Sequence, residues 1–102
     1  MQLNVVGHHV NVTDGIATHA QTRFEAALGQ HDRWIQHVTV RLEDLNGPKG
    51  GLDKRCHASI RLKAGADIEV EERQSDIYAA INLAADRAKV AVGRKVDKIR
   101  EK

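Results

Sequence analysis

Aromatic residues are almost missing from this 102-residue chain: Phe24, Trp34 and Tyr78 are the whole set. A core built with so few rings has to come from Val, Ile, Leu and Ala. The same scarcity speaks against a binder that stacks unpaired bases across a sheet, a mode that needs several exposed rings. Cysteine is reduced to Cys56, so no internal disulfide can form and a reducing, cytoplasmic setting is expected. No apolar run approaches the roughly 20 residues of a membrane-spanning helix. The opening Met1-Gln2-Leu3-Asn4-Val5 also lacks the basic and apolar regions of a secretion signal. A soluble intracellular protein with no membrane partner is expected.

What is present fits one globular domain over residues 1–102, with 41% apolar and 29% charged residues. The net charge of +2 is unevenly spread. Residues 64–86 hold one Arg against six acids, whereas residues 87–102 hold seven Lys/Arg against Asp97 and Glu101. Such polarity within a small domain points to a polyanionic partner for the C-terminal segment. A solvated, Lys-rich terminal helix would look the same on charge alone.

Apolar periodicity sets out the elements. Leu3 and Val5 alternate in a short first strand. Thr13 and Asp14 are N-cap types ahead of a helical stripe of Ile16, Ala20, Phe24, Ala27 and Leu28, with Gly29 as its stop. Val38, Val40 and Leu42 alternate with His37, Thr39, Arg41 and Glu43. Asn46-Gly47-Pro48-Lys49-Gly50-Gly51 is a turn-rich connector. Cys56, Ala58, Ile60 and Leu62 then alternate with Arg55, His57, Ser59, Arg61 and Lys63, and after Gly65 comes a fourth strand with Ile68 and Val70 inward. A long helix runs from about Ser75 or Asp76 to the end. The order β-α-β-β-β-α predicts an α+β sandwich, a four-stranded sheet with two helices on one face, like a double-stranded-RNA-binding domain. Basic and acidic outer faces on the last two strands are expected to pair across the ladder.

At 100° per residue, Tyr78, Ile81, Ala85, Ala88, Val92, Val96 and Ile99 of the last helix fall within about 80° and form its core stripe. Arg87, Arg94 and Lys98 make a second stripe turned away from it, with Lys95 alongside, over about 16 Å of axis. Phosphates along a nucleic-acid backbone recur at comparable intervals, so several could be neutralised together. One or two terminal cations would serve the helix dipole. Alignment over three turns goes beyond that need. Arg23 and His19 border the first helix's stripe, and Arg23 is a candidate helper.

Other constellations carry less. His8-His9 has no Cys/His partner at ligand spacing, so no metal is expected. Cys56 points inward, where a thiol is a small buried hydrophobe. The glycine-rich connector lacks the phosphate-loop pattern and precedes no helix, although Lys49 and Lys54 are candidates to touch RNA. No triad, carboxylate pair or cofactor fingerprint appears, so no cofactor and no small-molecule substrate are expected.

The opening Met1-Gln2-Leu3-Asn4-Val5, with Gly7-His8-His9-Val10 and Val12-Thr13-Asp14, resembles that of the ribosome hibernation-promoting factors and ribosome-associated translation inhibitors (the sigma-54 modulation protein family). Asp76-Ile77-Tyr78-Ala79-Ala80-Ile81 is similar to that family's second-helix start, usually Asp-Met-Tyr-Ala-Ala-Ile, and the basic residues follow as they do there. The resemblance spans essentially the whole chain and looks like a short form. It implies a non-catalytic protein that lodges on the small ribosomal subunit, over ribosomal RNA where mRNA and the A- and P-site tRNAs would lie. Arg87, Arg94 and Lys98 would then be the main phosphate contacts, with Lys95 and Arg23 beside them. Val90 stands where relatives often carry another base, and Gly93 is a weak helix former, costing about 1 kcal/mol relative to Ala. A stand-alone double-stranded RNA binder, or a small stress enzyme using His8, His9, His57 or Cys56, is the competing reading.

Overall fold

The computed structural model describes residues 1–45 and 53–101. The elements are β1 (Gln2–His8), α1 (Asp14–Leu28), a 3-10 turn (Gly29–Trp34), β2 (Ile35–Asp44), β3 (Lys54–Leu62), β4 (Asp67–Gln74) and α2 (Ile77–Arg100). They form one sheet in the order β1-β2-β3-β4, with β1 parallel to β2 and the other pairs antiparallel. The parallel pair follows from its connection: only a crossover as long as α1 can return the chain to a parallel neighbour.

Alternation along the strands decides which face is covered. Val38, Val40 and Leu42 of β2 and Cys56, Ala58, Ile60 and Leu62 of β3 are buried. Against them lie Ala20, Phe24 and Leu28 of α1 and a run of α2 that includes Ile81, Ala84, Ala85, Ala88, Val92 and Val96. The α+β sandwich with both helices on one face is as expected. Small alanines let α2 approach the sheet closely, so few rings are needed to fill the core.

Helix starts follow the sequence. Thr13 Oγ1 accepts from the Ile16 N–H at 3.2 Å, and Asp76 Oδ1 accepts from the Tyr78 N–H at 3.0 Å, satisfying donors left open by the first turns. Gly29 ends α1 as expected, capping it after Leu28, but it keeps right-handed helical angles, φ −57° and ψ −38°, and the chain runs on into the 3-10 turn. Gly65 does adopt φ +93°, where a side chain would be strained, and its N–H donates to the Leu62 carbonyl to close the β3–β4 turn.

The connector 46–51, with Lys49, lies outside the described residues. Tyr78 also departs from expectation: it is 39% exposed, because at the rim of the stripe it turns toward α1 and meets His19 edge-on, ring centroids 4.9 Å apart. Ile77, Ala80 and Ala84 are buried in its stead.

Candidate nucleic-acid interface

The uncovered sheet face carries most of the bases of the middle strands; those of β3 are paired, whereas Arg41 of β2 is exposed and makes no ion pair among the described residues. Arg61 Nη1 donates to both Asp67 oxygens at 3.0 Å, Arg55 reaches Glu43 at 2.6 Å and Glu71 at 3.7 Å, and His57 lies 2.8 Å from Glu69. The register sets Arg61 opposite Asp67 and Arg55 opposite Glu43, whereas the Arg55–Glu71 and His57–Glu69 contacts are diagonal across the β3–β4 ladder. Lys54 is likewise held by Asp53 at 3.0 Å and Asp44 at 3.1 Å, and those hydrogen bonds raise its pKa above the ordinary lysine value. Its candidacy as an RNA contact weakens accordingly.

The five expected contact residues, four on α2 and Arg23 on α1, divide. Arg94, Lys95 and Lys98 are exposed and make no ion pair among the described residues. They line the seam between α2 and β4, beside Ile68 and Ala91. Arg87 shares their stripe but pairs with Glu72, whose side chain is only 17% exposed. Glu72 occupies the inner row of β4, opposite Cys56, where an apolar residue would be expected, and Arg87 neutralises it. Arg23 is committed too: Nε donates to Asn82 Oδ1 at 3.1 Å and Nη2 to Asp86 at 3.4 Å, while His19 Nε2 sits 2.7 Å from the same Asn82 oxygen. Arg23 thus ties α1 to α2. Its spacing alone, at the rim of one helix, carried no sign of a partner 59 residues away.

Further free cations escaped the stripe reading. Lys89 and Arg100 are exposed and make no ion pair among the described residues, on the side of α2 that faces the 3-10 turn, where Gly93 sits close to His31. Lys63 falls just past β3, its N–H donating to the Trp34 carbonyl at 2.9 Å, and Arg33 adjoins it through Trp34. The antiparallel run of α2 along β4 brings its last three turns to this end of the sheet, so cations distant in sequence share one end of the molecule. Charge count by segment finds α2 but misses the two loop cations.

The catalytic candidates find no support in their surroundings. Cys56 is fully buried, and that burial pushes its thiol up to about 12, far from a reactive thiolate. His9 takes φ 57°, and the His8 and His9 rings meet edge-on, 4.2 Å between centroids. Among the described residues no cluster of His, Cys, Asp and Glu could hold a metal ion, and no helix is long and apolar enough to cross a membrane.

Together the fold and the α2 surface define a class: a two-layer α+β domain that offers a line of cations on its last helix. The chain belongs to the sigma 54 modulation protein / S30EA ribosomal protein family, whose model matches residues 3–100. It is 30% identical over 104 residues to the ribosome hibernation promoting factor of Salmonella typhimurium, covering 99% of both chains. It is 26% identical to the chloroplastic ribosome-binding factor of Spinacia oleracea, of which it spans about a third (33%). The N-terminal domain of Thermus thermophilus protein Y superposes with a TM-score of 0.74 at 28% identity, over 92% of this chain and 98% of that one. A ribosomal subunit interface protein of Coxiella burnetii shares the fold at 15% identity, TM-score 0.81, over 95% and 99%.

Proposed function

We propose that this protein silences idle ribosomes by occupying the small subunit, lying over ribosomal RNA in the channel that mRNA and the A- and P-site tRNAs would use. Inhibition is by occupancy: no bond is made or broken, and the block lasts as long as the phosphate contacts hold. The observation that carries this reading is the exposed, unpaired line Arg94-Lys95-Lys98 on a rigid helix, in a chain of this family. Cations already paired within the fold gain less from a phosphate, since an internal contact must be given up first. Arg87 and Arg23 therefore enter as flanking contacts, partly neutralised by Glu72 and Asp86. The small subunit and its RNA are the partner, and the cytoplasm is the expected location.

Sedimentation with purified small subunits tests it. The wild-type protein should co-migrate and should exclude A- and P-site tRNA from a programmed subunit. Arg94→Glu/Lys95→Glu/Lys98→Glu should remain at the top of the gradient. If a generic RNA duplex competes as well as the subunit does, a stand-alone duplex binder is the better reading.

A further inference from the structure

We infer that Arg33 and Trp34 form a stacking site for one unpaired nucleobase, at the end of the molecule where α2 presents its cations. The inference rests on the RNA-binding reading above and deepens it. Three observations carry it. First, Trp34 sits at the junction of the 3-10 turn and β2, half-buried against the core, and the Arg33 guanidinium lies 5.5 Å from its ring centroid. Second, a shallow recess of about 300 Å³, lined by Arg33 and Trp34, opens there and has room for a single heterocycle. Third, the site lies in a positive corner. Arg33 and Lys63 are exposed without an ion pair among the described residues, the Lys63 N–H is bonded to the Trp34 carbonyl, and Asp32 is the one acid of the turn.

The chemistry matches a base better than a phosphate alone. A guanidinium plane resting over an indole extends the ring's π surface, and bases stack on both kinds of plane. The indole N–H makes no hydrogen bond among the described residues and is left as an available donor. Arg33 is bound by no carboxylate among the described residues, so it can stack a base and meet the adjoining phosphate without giving up such a contact. Duplex RNA has its bases already stacked and cannot use the shelf. The site therefore separates single-stranded or looped RNA from duplex, a distinction the cations of α2 alone cannot make. Scarce aromatics exclude a broad stacking sheet and leave room for one ring.

Trp34 is the chain's single tryptophan, so its emission reports this site alone. The full-length protein is titrated with an oligoadenylate octamer and with an eight-base-pair RNA duplex, binding being followed separately by anisotropy of the labelled RNA. The octamer should quench Trp34 and the duplex should leave it unchanged. Arg33→Lys keeps the charge and removes the plane, and it should weaken octamer binding about fivefold with duplex binding unaltered; Trp34→Leu, checked by thermal unfolding, should weaken it about tenfold. If octamer and duplex both bind through Arg94, Lys95 and Lys98 while Trp34 emission stays constant, or if Arg33→Lys binds the octamer normally, the stacking site is refuted and the RNA-binding reading stands. If the wild-type protein binds neither RNA nor small subunits, both fall together.

Discussion

Sorting the α2 cations by whether they are already paired leads to a quantitative expectation. Each phosphate neutralised by a Lys or Arg contributes about 0.7 to 0.9 to the slope of log K against log salt. Arg94, Lys95 and Lys98, unpaired among the described residues, therefore predict a slope of about −2.1 to −2.7, a loss of about 20- to 40-fold between 50 and 200 mM salt. Lys98→Ala should reduce the slope by just under one unit. Arg87→Ala should reduce it by less than half as much, because its charge is already shared with Glu72. The cost of Arg87→Ala should fall on the fold instead. A Glu72 side chain only 17% exposed loses its partner, at about 1 kcal/mol, or about 4–8 °C in the unfolding midpoint of a domain this size. Anisotropy or filter binding with small subunits at four salt concentrations gives the slopes, and calorimetry gives the midpoints. The sorting is wrong if Arg87→Ala flattens the slope as much as Lys98→Ala and leaves the midpoint untouched.

Three further outcomes follow from the core and caps. The buried Cys56 thiol has a pKa near 12 against 9.0 in an open chain, so the folded state holds its proton while the unfolded state loses it. The stabilisation is complete below pH 9 and fades above it, by about 2 kcal/mol at pH 10.5. Lys54, also raised, loses its contribution over the alkaline range above 10.5, so the clean comparison is the stability-against-pH curve of Cys56→Ala, which should be flatter between pH 9 and 10.5. Gly7→Ala should destabilise by about 1–3 kcal/mol in urea unfolding, because the added Cβ would lie 2.5 Å from Val12 Cγ2 and 2.9 Å from the Val10 carbonyl oxygen. Asp76→Ala, which removes the α2 cap on the Tyr78 N–H, should lower stability by about 1 kcal/mol and leave subunit binding at low salt unchanged.

The fold was legible because its signals are local. Period-two runs such as Cys56-Ala58-Ile60-Leu62 and the caps at Thr13 and Asp76 need only their neighbours to be interpreted. The 3-10 turn at Gly29–Trp34 was not, since Gly29 reads as a terminator unless the turn beyond it is already known. At the candidate site, helical spacing singled out Arg94, Lys95 and Lys98, which the structure leaves exposed. It could not foresee that Arg87 would meet Glu72 or that Arg23 would meet Asn82 and Asp86, because those partners are brought in by tertiary packing. Nor could spacing gather Arg33 and Lys63 to one end of the sheet. That depends on how β2 begins and β3 ends side by side.

The distribution of pairing explains how a chain with a net charge of only +2 can present a surface for a polyanion. Acids are not spread evenly to cancel bases. Asp67, Glu69 and Glu71 all point to the open face of β4, where Arg61, His57 and Arg55 of β3 take them up. That face is thereby neutralised, and an edge strand lined with carboxylates is also protected against pairing with a second copy. The cations of α2 stand on the far side of the same strand, beyond the reach of those acids. Glu72 is the exception, turned inward, and it claims Arg87. Removing the β4 carboxylates would free bases on the open face and give RNA a second place to bind. Asp67→Asn/Glu69→Gln/Glu71→Gln should therefore raise affinity for generic RNA more than affinity for small subunits. On the proposed reading, the acidic strand serves specificity by keeping the remainder of the surface from competing with α2.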